Sequence, residues 1–145
     1  MEIHEIQASE TWVLRQKLLR PDFNLEQCSY PGDSDVSSHH FACSSNHELR
    51  GIVSIYKRSN KAVHSGLGFQ IRAMATCEEV RGKGLGLKLL AAAEKVAFNA
   101  GADYVWANAR TSAIGFYVKA AYKVIGEQFH VDGVGPHLLV YRTKG

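Results

Sequence analysis

Six consecutive residues, Arg81-Gly82-Lys83-Gly84-Leu85-Gly86, have the types and spacing best suited to hold an anion. They stand between an apolar run, Ile71 to Cys77, and a run of helical spacing that begins at Leu85, which reads as strand, phosphate cradle and helix start. Glycines at 82, 84 and 86 remove side chains from a turn whose backbone N–H groups must face the ligand, and they permit positive φ. Arg81 and Lys83 add charge beside those donors. The first N–H groups of the following helix, through Leu87, have no intrahelical partner, so a pyrophosphate there meets free donors and the positive end of the helix dipole together. Two better-known phosphate loops are excluded. The third glycine of G-x-G-x-x-G, counted from Gly82, falls on Leu87; a P-loop ending at Gly82-Lys83 has Cys77 in place of its first glycine and Gly84 in place of the magnesium-binding Ser or Thr.

The elements that must position this loop can be read in order. Glu2 to Ile6 alternates as a short strand, and Ser9 offers an N-cap to a helix from Thr11 to Arg20 that Pro21 ends. Trp12, Leu14, Leu18 and Leu19 share its apolar face, and Arg15 and Arg20 are expected on the solvated side. Residues 22 to 38 form a long loop with the turn signature Pro31-Gly32-Asp33-Ser34-Asp35. Tyr30, Asp33 and Asp35 suit a cationic acceptor, but an aspartate-rich turn also forms for local hydrogen-bonding reasons, which is the reading favoured for this stretch. His40 to Cys43 and Leu49 to Tyr56 read as strands around a Ser44-Ser45-Asn46-His47 turn, followed by a long strand from Gly66 to Cys77. Alternation places His39 and His40 on opposite faces of the sheet, so they cannot ligate one metal together.

A helix from Leu85 to Ala100 stops at Gly101, a strand follows from Asp103 to Ala109, and Thr111 or Ser112 caps a second helix from Ala113 to Ala121. Strands Lys123 to Val131 and His137 to Arg142 close the chain around an Asp132-Gly133-Val134-Gly135-Pro136 turn. With 145 residues and no repeat or linker, the expectation is one domain, 1–145. No apolar run approaches the roughly 20 residues needed to cross a bilayer, and no signal-peptide pattern opens the chain, so a soluble cytoplasmic protein without a membrane partner is expected. Cys28, Cys43 and Cys77 are widely spaced and odd in number, which fits reduced structural thiols and gives no metal site. The net charge of +3 is dispersed apart from the glycine loop, which argues against nucleic acid as a partner.

Arg81, Gly84 and Gly86 form R-x-x-G-x-G, which resembles the acyl-CoA-binding motif of the GNAT superfamily of N-acetyltransferases. A second motif, Phe116-Tyr117-Val118-Lys119-Ala120-Ala121-Tyr122, resembles that family's F-Y-x-K-x-G-F segment, with Ala121 where glycine is usual. The order strand, helix, three strands, helix, strand, helix, two strands is also the family's and covers nearly the whole chain. Asn108-Ala109-Arg110 and Gly133-Val134-Gly135-Pro136-His137 resemble a bacterial subgroup of it. The resemblance implies a single α/β (α+β) GNAT-type domain, with a mixed, mostly antiparallel central sheet of about six to seven strands flanked by helices.

It further implies direct transfer of an acetyl group from acetyl-CoA, the co-substrate, to a primary amine. The acceptor is a small molecule or an amino-acid-like compound; a protein or peptide N-acetyltransferase and a non-catalytic CoA-binding module are the alternatives. By the same resemblance, residues 81 to 87 hold the pyrophosphate and the main chain of Met74, Ala75 and Thr76 pairs with the pantetheine amides. Asn108 and Lys119 are the further CoA contacts. Tyr117 is the general acid, since a phenol with a pKa near ~10 stays protonated and can donate to a thiolate. A base is also needed, because an alkyl amine is mostly protonated at neutral pH. His137, Glu127 and His40 are the candidates, His137 first. Glu127 and Asp33 suit an acceptor's ammonium, whereas Arg15, Arg20 and Arg110 suit a carboxylate; Tyr30 and His40 complete the expected acceptor set. No metal is called for, and the exposed-strand ending suits a homodimer.

Overall fold

The computed structural model describes residues 1–144. Seven strands, β1 Ile3–Ile6, β2 His39–Ser45, β3 Glu48–Lys57, β4 Gly68–Thr76, β5 Tyr104–Arg110, β6 Lys123–Val131 and β7 Gly135–Thr143, follow the order β1-β2-β3-β4-β5-β7-β6. The helices are α1 Trp12–Leu18, α2 Leu85–Asn99 and α3 Ile114–Lys119. β1 with β2, β2 with β3, β5 with β7 and β6 with β7 pair antiparallel, and β4 with β5 pairs parallel. This is the mixed α+β fold expected from the sequence. Among the described residues no helix is long and apolar enough to cross a membrane.

The residues group into two compact units, Met1–Tyr56 with Arg72–Val96, and Lys57–Ile71 with the chain from Ala97 onward. In the first, the β2–β3 hairpin closes on two residues, Asn46 at φ 52° and His47 at φ 64°, tighter than the four-residue turn read from the sequence. Positive φ at both positions matches the twist of the strands they join. Gln7, and not Ser9, opens the first helical segment: its N–H donates to Glu10 Oε1 at 2.9 Å. α1 ends two residues short of the expected boundary, because the N–H groups of Leu19 and Arg20 both turn back to the Arg15 carbonyl ahead of Pro21.

Arg15 is the main departure from the sequence reading. Expected in solvent, it is fully buried, and the first unit packs around it. Nη1 donates to Asp33 Oδ2 at 2.6 Å and to the Cys28 carbonyl at 2.8 Å, and Nη2 donates to Asp33 Oδ1 at 3.0 Å and Ser54 Oγ at 2.9 Å. The Tyr56 hydroxyl donates to Asp33 Oδ1. His40 Nε2 lies 3.0 Å from the Asp33 main-chain carbonyl, which can only accept, so Nδ1, at 2.7 Å from Ser54 Oγ, accepts the serine proton. Burial lowers the His40 pKa and keeps that ring neutral. Burial alone would raise Asp33, but its bonds from Arg15 and Tyr56 hold it below the usual carboxylate range. The Tyr56 phenol is pushed up to about 12, chiefly by burial.

In the second unit β5 is the buried centre, with Tyr104, Val105, Trp106, Ala107 and Ala109 shielded from solvent. The Trp106 indole donates to the Arg58 carbonyl at 2.8 Å, and Asp103 Oδ2 accepts the Leu67 N–H at 2.8 Å. No side chain caps α3, contrary to the expectation for Thr111 or Ser112. The turn after α3 accepts the Cβ of Ala121, at a left-handed φ of 72°.

Two stability predictions follow. Asp33→Ala strands a buried guanidinium and should cost about 3–5 kcal/mol in urea unfolding. Because the folded Asp33 pKa is depressed, its contribution is complete above the ordinary carboxylate range and is lost as pH falls through the folded value. A wild-type-minus-Asp33→Asn difference that stays constant into strong acid would contradict this. Ala121→Gly removes left-handed strain and should raise stability by about 1 kcal/mol, read as a higher thermal midpoint; a lower midpoint would refute it.

Candidate acyl-donor site and flanking residues

The first unit supplies the anion cradle. Past Thr76, the Cys77 N–H donates to the Arg50 carbonyl at 2.7 Å, and a 3₁₀ turn, Glu78–Val80, is pinned by buried Val80. Arg50 holds this turn from the side through Glu79, at 2.8 Å. The chain then runs through Gly82 at φ 81° and Gly84 at φ 75°, left-handed conformations that disfavour any side chain. A Cβ built at either glycine meets nothing within 4 Å, so the space over the turn is open. The first intrahelical bond of α2 runs from the Lys88 N–H to the Gly84 carbonyl at 3.2 Å. The N–H groups of Leu85, Gly86 and Leu87 therefore lack helical acceptors and can meet an anion at the positive dipole end.

Leu85, Leu89 and Leu90 are buried and seat the helix, while Arg81 and Lys83 are exposed at the loop. Arg81 Nε donates to the Thr76 carbonyl at 3.2 Å, which folds that side chain back over the end of β4. Donors, charge and open space thus lie together within the seven residues 81–87.

β4 itself is irregular. Its register with β5 pairs Gly68 with Tyr104, Phe69 with Val105 and Gln70 with Trp106, and stops there, although β4 continues to Thr76. Ala73 has φ 54°, a conformation that a non-glycine residue rarely takes in a strand. Met74, Ala75 and Thr76 follow it and are half-buried.

Three residues nominated for the acceptor, Tyr30, Asp33 and His40, come together around Arg15. The Tyr30 ring centroid is 4.2 Å from the Arg15 guanidinium carbon and 4.6 Å from that of Arg72. Its N–H donates to Asp33 Oδ2 at 2.9 Å. Both Asp33 oxygens are engaged by Arg15, so that carboxylate faces a cation within the chain.

The second unit carries the remaining nominees. Tyr117 on α3 is buried between Phe116 and Tyr122, at ring distances of 5.2 and 5.3 Å. Its hydroxyl has no hydrogen-bond partner among the described residues, and burial raises its pKa, which keeps the phenol protonated. His137 on β7 is buried, with Nδ1 2.9 Å from the Gly135 carbonyl. A carbonyl only accepts, so Nδ1 carries a proton in that contact. Arg110 pairs with His137 across β5 and β7. Asn108 is exposed on β5 and Lys119 at the end of α3; Glu127 is exposed in the irregular stretch of β6 between Ile125 and Phe129. Among the described residues no His, Cys, Asp and Glu cluster could hold a metal.

The sequence reading did not single out Arg72 or Ala73. The only signal for Arg72 was a charge inside an apolar run; nothing in the residue type marks Ala73.

Comparison with known proteins agrees with this geometry. The family model for the acetyltransferase (GNAT) family matches residues 2–122. An uncharacterised N-acetyltransferase of Bacillus subtilis, YitI, is 32% identical over 143 residues, covering 99% of this chain and 96% of that protein. An aminoglycoside 6'-N-acetyltransferase crystallised with coenzyme A superposes with a TM-score of 0.77 at 14% identity, covering 99% of this chain and 97% of the other. Escherichia coli ElaA superposes at 0.75 and 19% identity, over 98% and 99% of the two chains. The glycine loop ahead of α2, the fold around it and this kinship lead to one conclusion: the chain belongs to the acetyltransferase (GNAT) family, and is an N-acetyltransferase.

Proposed function

We propose that the protein transfers an acetyl group from acetyl-CoA to the primary amine of a small, amino-acid-like acceptor. The observation that carries this reading is the 81–87 cradle, where two left-handed glycines clear the space in front of three helix N–H groups. Leu85, Gly86 and Leu87 hold the pyrophosphate through the main chain, and Arg81 and Lys83 supply charge. Met74, Ala75 and Thr76 offer main-chain groups to the pantetheine arm, and Asn108 and Lys119 are the further contacts. The bound co-substrate supplies an activated acetyl thioester. An N–H of the strand after Ala73, aimed at the thioester oxygen, contributes on the order of 3 kcal/mol of transition-state stabilisation, as one preorganised donor does elsewhere.

Tyr117 holds the proton that the departing sulfur needs. Its unpartnered hydroxyl supports that role, because a donor already bonded within the protein would have to break that bond first, and burial keeps the proton on the phenol until the sulfur departs. His137 takes the amine proton at Nε2, the ring nitrogen that the Gly135 carbonyl does not engage. Glu127 and Arg110 are further proposed acceptor contacts. Three buried free thiols support a reducing, cytoplasmic setting.

Calorimetric titration with acetyl-CoA, with dephospho-CoA and a short RNA as controls, tests the donor half. Wild-type protein should bind acetyl-CoA and not RNA, and Gly84→Glu should abolish that binding by filling the cradle and adding negative charge; unchanged affinity would remove the main argument. Tyr117→Phe should lower kcat by about 10²–10⁴-fold with acetyl-CoA affinity preserved. Wild-type turnover in that variant, measured as thiol released over a panel of amines and short peptides, would remove the assigned acid.

A further inference from the structure

The arginines around Tyr30 are not equivalent. Arg15 is neutralised by the bidentate Asp33 pair. Arg20 is paired with Asp22 at 3.1 Å and lies over Phe23. Arg72, half-buried on β4, has its guanidinium carbon 4.6 Å from the Tyr30 ring centroid and makes no ion pair or hydrogen bond with any described residue. A partly desolvated cation without an anion costs free energy that a bound counter-charge would recover. Contact with an aromatic ring engages the π-face and leaves the guanidinium N–H fork free, and that fork matches a carboxylate bidentately. Tyr30 is anchored for this contact by its own N–H on Asp33 Oδ2. Its hydroxyl also lacks a hydrogen-bond partner among the described residues, so a second donor stands beside the first.

Position adds to the chemistry. Arg72 directly precedes Ala73, whose left-handed φ redirects β4, and stands two residues ahead of Met74, where the proposed pantetheine contacts begin. An acceptor anchored by its anionic end on Arg72 is therefore held at the strand along which the acyl donor is proposed to lie.

We propose that Arg72, steadied by Tyr30, recognises a carboxylate on the acceptor, so that the accepted class is amines that carry a carboxylate. This rests on the acetyl-transfer reading above and narrows it. It also reassigns the anion-binding role, since Arg15 and Arg20 are occupied within the chain.

The test compares each of the twenty common L-amino acids with its primary amide and its decarboxylated amine, using thiol release for kcat and KM. A second measurement titrates the N-acetylated acids and N-acetylated amides into CoA-saturated protein, which reads binding without turnover. The best acceptor should be an acid, with its amide and amine weaker by about 10–100-fold, mostly in KM. Arg72→Gln should bring the acid down to the level of its amide in both measurements while acetyl-CoA affinity is unchanged. Arg72→Lys should restore part of the preference. Amines used equally well with and without the carboxylate, or Arg72→Gln retaining the preference, would overturn the inference and leave acetyl transfer standing. Wild-type protein that does not bind acetyl-CoA would overturn both.

Discussion

The structure depends on a mismatch in hydrogen bonding along β4. A strand's main-chain N–H and C=O groups must be satisfied, and β5 takes up only the stretch from Gly68 to Gln70. The remaining residues, through Thr76, extend past that register, and Ala73 within them adopts a left-handed φ worth roughly 1–2 kcal/mol of strain. Such strain persists only where surrounding structure enforces it, and it is concentrated where ligands are handled. The 3₁₀ turn Glu78–Val80, whose Val80 N–H is used within the chain, joins this stretch to the glycine loop, where the first N–H groups of α2 lack helical acceptors.

Several of the arginines are engaged within the chain. Arg15 is used on Asp33, Arg20 on Asp22, and Arg50 on Glu48 and Glu79. Arg58 donates to Gln70 at 2.8 Å. Arg81 and Lys83 at the glycine loop and Arg72 beside Tyr30 make no ion pair with a described residue. The buried Arg15 cluster has its own consequence: Asp33, Tyr56, Ser54 and His40 are held to one another around a single guanidinium, so the loop bearing Tyr30 has a fixed conformation against β2 and β3. That loop carries Tyr30, whose ring lies against Arg72.

Two further polar groups are set by local surroundings. Burial keeps the Tyr117 phenol protonated, and the Gly135 carbonyl accepts the Nδ1 proton of His137.

Local rules determined much of this protein from sequence alone. Glycines at 82 and 84 before a helical run specify the turn because few other residues tolerate its left-handed backbone, and period-two and helical patterns specify the strands and helices in nearly their observed places. The order of those elements carried the family. What only the tertiary structure decided are pairings between residues far apart in the chain. Arg15 reads as a solvated helix residue until Asp33, Ser54 and Tyr56 arrive from 18, 39 and 41 residues away to satisfy it. Arg72 reads as an interruption of an apolar strand until Tyr30 is placed against it. The end of the β4 and β5 register and the left-handed Ala73 depend on how two strands 28 or more residues apart in sequence twist against their neighbours, and no residue type at either position encodes that.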